Sequence, residues 1–148
     1  FETLFTGHLR AVLQRFLPRP NNLPAPISSF VGRVELMAQL KTLATTGQQQ
    51  VVNLVGPAGT GKSRLALRTA RDLLPEFEHG VFLVDLVAAG DEAQALAAIA
   101  TALDPEQAGA NITVEELTGR MGDQSLLLIL DNLPGNGFMA DALVYPAR

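Results

Sequence analysis

The sequence predicts an α/β fold built on a parallel sheet buried on both faces. Three observations carry that expectation. Short apolar runs alternate with segments of helical periodicity along the chain. The runs are apolar throughout instead of alternating with polar residues, the pattern of strands covered on both faces. A glycine-rich turn also joins the first run directly to a helix. At 148 residues the chain has room for one domain with a substantial core and little room for two. Its 47 % hydrophobic and 18 % charged content is that of a globular protein, not a disordered one.

Residues 1–17 place Phe1, Leu4, Phe5, Leu9, Val12, Leu13, Phe16 and Leu17 at helical spacing. This amphipathic helix could bind a partner or a membrane surface. The few basic residues beside it favour the tail of an upstream domain. Pro18, Pro20, Pro24 and Pro26 then read as an extended linker, giving a helix in 1–20, a linker over 21–29 and a domain over 30–148. A helix is expected from 34 to about 45, with Leu36, Leu40 and Leu43 on one face. A strand follows over 51–55, then a helix over 64–74 stopped by Pro75, and a second strand over 81–86. An alanine-rich helix is expected from about 91 to 103. A short helix capped at Asn111 or Thr113 comes next, its Thr113-Val114-Glu115-Glu116 fitting a capping box. The apolar run 125–130, ending in Asp131-Asn132, is the last clear strand.

The chemistry sits in Gly56-Pro57-Ala58-Gly59-Thr60-Gly61-Lys62-Ser63, which fits the phosphate-cradling spacing G-x-x-x-x-G-K-[ST]. A triphosphate is a dense block of negative charge. Glycines let the backbone approach it closely and turn N–H groups inward as an anion nest. The helix that starts here, with Arg64 in its first turn, adds orphan N–H donors and the positive end of its dipole. Lys62 supplies a mobile charge for the β- and γ-phosphates, and the Ser63 hydroxyl suits Mg²⁺.

Leu126-Leu127-Leu128-Ile129-Leu130 followed by Asp131 has the form of a Walker B strand, whose acid emerges beside the phosphate loop. Asp131 would then hold Mg²⁺ opposite Ser63. Asp85 closes a similar but weaker run that directly follows the first helix, and its plainer role is a strand-end cap. Position favours Asp131. Asn132 stands where hydrolysing enzymes often carry a glutamate. An amide can position water but cannot accept its proton, so binding is better supported than fast turnover.

Other features narrow the field. A net charge of −4 weighs against a nonspecific grip on nucleic acid by this segment. The absence of cysteine excludes disulfides, zinc knuckles and thiol catalysis and suits a reducing, cytoplasmic setting. No apolar run approaches the roughly 18 residues of a membrane helix. The chain opens on Phe1, with Glu2, His8, Arg10 and Arg15 interrupting any signal-peptide core, which reads as a piece of something longer. His8 and His79 have no ligand partners at useful spacing and read as structural or surface residues.

Asn22-Leu23-Pro24-Ala25-Pro26-Ile27-Ser28-Ser29-Phe30-Val31-Gly32-Arg33, the phosphate loop and Leu-Leu-Ile-Leu-Asp-Asn together resemble the STAND class of P-loop NTPases. The likeness covers residues 21 to about 133. It is greatest to the nucleotide-binding domains of bacterial LuxR-type and SARP/AfsR-like transcriptional regulators and of cyclase-like signalling proteins. The resemblance implies a three-layer α/β/α P-loop fold, here truncated after the Walker B strand. It also implies ATP/ADP and Mg²⁺ as ligands, with Arg33 hydrogen-bonding or stacking on adenine and Val31 as an apolar wall. Effector and sensor domains elsewhere in the protein and a nucleotide-dependent oligomer belong to the same picture.

Where the family has glutamate after this arginine, Val34 intervenes and Glu35 follows. Family members also insert a further strand between the P-loop and Walker B strands. Here residues 142–145 offer a shortened version, with Arg148 as a remnant sensor; without it the sheet would have a gap at its centre. The function expected is an ATP/ADP-binding switch module with slow hydrolysis. An active AAA-type ATPase domain and a truncated, non-hydrolysing interaction module are the alternatives.

Overall fold

A computed structural model describes residues 9, 12–13, 18–25, 32–46, 51–55, 59–109, 111–122, 124–133 and 140–144. Among these, α1 spans Val34–Thr45, β1 Val51–Val55, α2 Lys62–Leu73, β2 Gly80–Asp85, α3 Glu92–Leu103, α4 Val114–Met121, β3 Leu126–Leu133 and β4 Ala140–Val144. The fold is mixed α/β. Most of the N-terminal helix expected over 1–17 lies outside the described residues; Leu9, Val12 and Leu13 are helical and exposed.

The strand order is β1-β4-β3-β2. β2 and β3 are parallel, but β4 runs antiparallel to both β1 and β3. This corrects the expectation of a wholly parallel sheet. A parallel return needs a crossover of about a dozen residues or more. Only six residues separate Leu133 from Ala140, so the chain can return only in the opposite direction. β4 lies between β1 and β3 and contains Ala142, Leu143 and Val144 of the shortened strand offered there, so the gap that its absence would have left does not arise and the expected truncation after the strand ending in Asp131 is corrected. Tyr145 and Arg148 lie outside the described residues.

Helices cover both faces. Met37, Leu40 and Ala44 of α1 and Leu65, Ala66, Ala70 and Leu73 of α2 bury themselves against Val81, Leu127 and Ile129. On the other face, Ala95, Ala98, Ile99 and Ala102 of α3 pack with Val84, Leu126 and Leu128. β3 therefore alternates between two apolar layers, with Leu126 to Ile129 all at most 2 % exposed. That is why its sequence shows no polar alternation. Each such side chain contributes roughly 1.5–3 kcal/mol by leaving water.

Capping fixes the helices on the far face. Asp91 accepts from the Gln94 N–H at the start of α3, and Thr113 and Glu116 form the complete capping box of α4. The proline-rich stretch is tied to the sheet by its first residues. The Asn22 side chain donates to the Leu83 carbonyl at 2.9 Å and accepts from the Leu83 N–H at 2.6 Å, satisfying the free edge of β2 as a strand would. Beside it, Val81 N–H donates to the Pro20 carbonyl at 3.1 Å. That approach needs glycine at position 80, where φ is +107° and a methyl would lie 2.1 Å from the Pro20 oxygen.

Candidate functional site

The site forms where the carboxyl ends of β2 and β3 meet the N-terminus of α2. Gly59 and Gly61 take φ of +81° and +82°, conformations that carry the chain sharply into the helix at Lys62. Gly61 is the N-cap and makes no side-chain cap hydrogen bond. The positive end of the helix dipole therefore faces the loop without an intervening side chain at the cap. Thr60, Gly61, Lys62 and Ser63 are half-buried, while Arg64 is exposed. Gly56, Pro57, Ala58 and Val31, the remaining residues expected at the site, lie outside the described residues.

The two halves of the expected site are in direct contact. The Ser63 hydroxyl donates to Asp131 Oδ1 at 2.9 Å across 68 positions of sequence. Both side chains are half-buried. Asp131 reaches this place because it continues the face of β3 that carries Leu127 and Ile129, the face on which α2 packs. A hydroxyl and a carboxylate oxygen held together suit a hard divalent cation, which takes oxygen ligands. Among the described residues no three or more His, Asp or Glu side chains gather as a metal site. Two protein oxygens are nonetheless enough for Mg²⁺, which keeps several of its own waters.

Arg33 reaches the loop from the other side. It is the N-cap of α1 and sits in the left-handed region at φ 55°, preceded by Gly32 at 96°. Such a conformation is costly for a long side chain and persists only where its surroundings fix it. Here the Arg33 guanidinium donates to the Thr60 carbonyl within the loop. Its Nη1 lies 4.0 Å from where a methyl on Gly61 would be. Arg33 thus touches the glycine-rich loop itself, a contact its place in the sequence did not reveal.

Asp85 shows the other outcome for an acid at a strand end. It accepts from the Val87 N–H at 2.9 Å, the cap expected of it. It also accepts from Asn132 Nδ2 at 2.8 Å. The hydrogen bond from Asn132, then that from Val87, holds its carboxyl below the ordinary carboxylate range, only slightly opposed by desolvation. Asn132 itself is left-handed at φ 60° and lies where the β3–β4 register slips between Leu130 and Leu133, a bulge in β3. No local pattern signals this Asp85–Asn132 contact, because the partners are 47 positions apart. His79, expected to be a structural or surface residue, is exposed and makes a contact between strands. Its Nδ1 accepts from the Ser125 N–H at 2.9 Å and its own N–H donates to the Ser125 carbonyl, joining the starts of β2 and β3.

Among known proteins, the chain is 34 % identical over 107 residues to proteins of Mycobacterium bovis and Mycobacterium tuberculosis that are described only as uncharacterized. That match takes in 72 % of this chain and 26 % of theirs. A Mycobacterium tuberculosis protein provisionally described as an HTH-type transcriptional regulator is 33 % identical over 90 residues, covering 60 % of this chain and 10 % of that one. The chain thus spans about a quarter of the length of the first relatives and about a tenth of the second. No family model and no solved structure matches it. Among the described residues, no helix is long and apolar enough to cross a membrane.

Proposed function

We propose that this chain is the ATP/ADP-binding switch module of a STAND-type signalling or transcriptional regulatory protein, with the three-layer α/β/α arrangement of P-loop NTPases. It binds Mg-ATP and hydrolyses it slowly in the cytoplasm. The observation that carries this reading is the 2.9 Å hydrogen bond between Ser63 and Asp131, because it joins the end of the glycine-rich loop to the acid of the Walker B strand. Either residue type is common; their meeting at a helix N-terminus that follows G-x-x-x-x-G-K is not.

In this reading the phosphates lie on the loop N–H groups and the first turn of α2, with Lys62 against the β- and γ-phosphates. Ser63 and Asp131 hold the Mg²⁺, which when bound neutralises charge on the phosphate oxygens. Arg33, already against Thr60, contacts the adenine nucleotide and couples it to the start of α1. Val31 walls the base. Asn132 positions water without removing its proton, which keeps turnover slow and lets the bound nucleotide act as a signal. The similarity to a protein described as an HTH-type regulator is in keeping with a module that controls an effector domain.

Titrating a fluorescent ATP analogue with Mg²⁺ against the wild-type chain and Lys62→Ala tests the proposal. Tight binding by the wild type, weakened at least about tenfold in the variant, is expected for a lost phosphate contact. Equal, negligible binding by both would sink it.

A further inference from the structure

Asp85 and Asp131 are partners in the parallel register of β2 and β3. Val81 and Leu83 pack in the same apolar layer as Leu127 and Ile129, so by alternation both acids continue the face that carries α2 and the phosphate loop. Asn132 does not follow that alternation. Its left-handed backbone and the bulge at this point bring its amide onto Asp85. One oxygen, Asp85 Oδ1, accepts both from the Asn132 amide at 2.8 Å and from the Val87 N–H at 2.9 Å.

The polarity of that contact follows from chemistry. An ionised carboxylate only accepts hydrogen bonds, so the amide must turn its Nδ2 toward it. The Asn132 Oδ1 then faces away from Asp85. This matters because the two ends of an amide do different things beside a triphosphate. An NH₂ group donates to phosphate oxygens and would sense the nucleotide. A carbonyl oxygen repels phosphate and accepts from water, orienting the water's lone pairs elsewhere.

We propose that Asp85 is a positioning residue for Asn132: by taking the amide nitrogen it makes the carbonyl the end of Asn132 that meets the nucleotide side, where it orders water instead of binding phosphate. The inference rests on the nucleotide-site reading above. Asp85 acts through its hydrogen-bond geometry, not as a proton acceptor. Asparagine at position 85 can accept both bonds through its single carbonyl oxygen, so it can preserve the arrangement without the charge.

The experiment compares the full chain as wild type, Asp85→Ala and Asp85→Asn. It measures affinity for the fluorescent ATP analogue with Mg²⁺, single-turnover ATP hydrolysis and hydrogen exchange of the Asn132 side-chain amide by ¹⁵N NMR. The alanine variant is expected to bind the analogue within about twofold of wild type, lose about tenfold in turnover rate and exchange its Asn132 amide faster. The asparagine variant is expected to return both turnover and exchange to within about threefold of wild type. Equal loss in both variants would make the carboxylate itself the working group and overturn the proposal. Wild-type turnover in the alanine variant would overturn it as well, as would tight binding without any turnover in the wild type. If the alanine variant does not fold, the asparagine variant decides alone: retained turnover supports positioning, and a loss beyond about tenfold refutes it. A wild-type chain that binds no nucleotide fails at the earlier step and removes the site reading itself.

Discussion

β2 and β3 are written almost alike: each is a short apolar run closed by aspartate, and the two lie side by side in parallel. Their surroundings make them different. β3 has a strand on either side and helices on both faces, and its acid meets Ser63 in the first turn of α2. β2 is the last strand of the sheet, its outer edge satisfied by the Asn22 side chain, and its acid bonds to its own turn and to Asn132. An apolar strand ending in Asp therefore does not by itself set what the acid does. The neighbour that the acid meets sets it: among the described residues the acid of β3 meets Ser63 of α2, and that of β2 meets Asn132.

Substitutions can break or sharpen that contrast. The largest difference is expected in packing. Leu127→Ala, at 0 % exposure in the centre of the sheet, should cost about 3 kcal/mol by denaturant unfolding, whereas Leu83→Ala, half-buried in β2, should cost about 1 kcal/mol. Equal costs would mean that β2 is as central to stability as β3. Next, Asp131→Ala should weaken Mg²⁺-dependent binding of the ATP analogue by about 10–100-fold, the range seen when support for a metal is removed. Asp85→Ala should leave affinity within about twofold. Reversal of that order would exchange the roles of the two acids.

A smaller effect is expected at the edge. Asn22→Ala removes both bonds to Leu83 and should destabilise by about 1 kcal/mol, read as a lower melting temperature. No change would show that water satisfies the edge of β2 equally well. The smallest effect is on acid stability. The Asp85 carboxyl is held below its ordinary value in the fold, so its contribution is complete above the unfolded value near 4 and is lost as pH falls through the lower folded value. Melting curves of wild type and Asp85→Asn across that range should therefore converge in acid and separate above it. Its exposure keeps the separation small.

Much of this was legible along the chain. The glycines at 59 and 61, the helix after them (expected over 64–74, found over Lys62–Leu73), the capping box at Thr113 and the continuous apolar run of β3 are local signals, each set by a backbone conformation or a burial pattern that a few neighbouring residues dictate. The direction of β4 was not legible, because it depends on how far six residues can carry the chain and not on the residues of the strand. Nor was the docking of Pro20 and Asn22 on β2, since a proline-rich stretch looks the same whether it is free or pinned.

The amino-acid order alone determined a glycine-rich turn between a strand and a helix, because glycine spacing and apolar periodicity act over a few residues. Only the tertiary structure decided that Ser63 meets Asp131, that Arg33 touches the loop at Thr60, and that Asp85 takes the Asn132 amide. Those contacts span 27 to 68 positions, and hydrogen bonds depend on distance in space, which strand order and helix packing set.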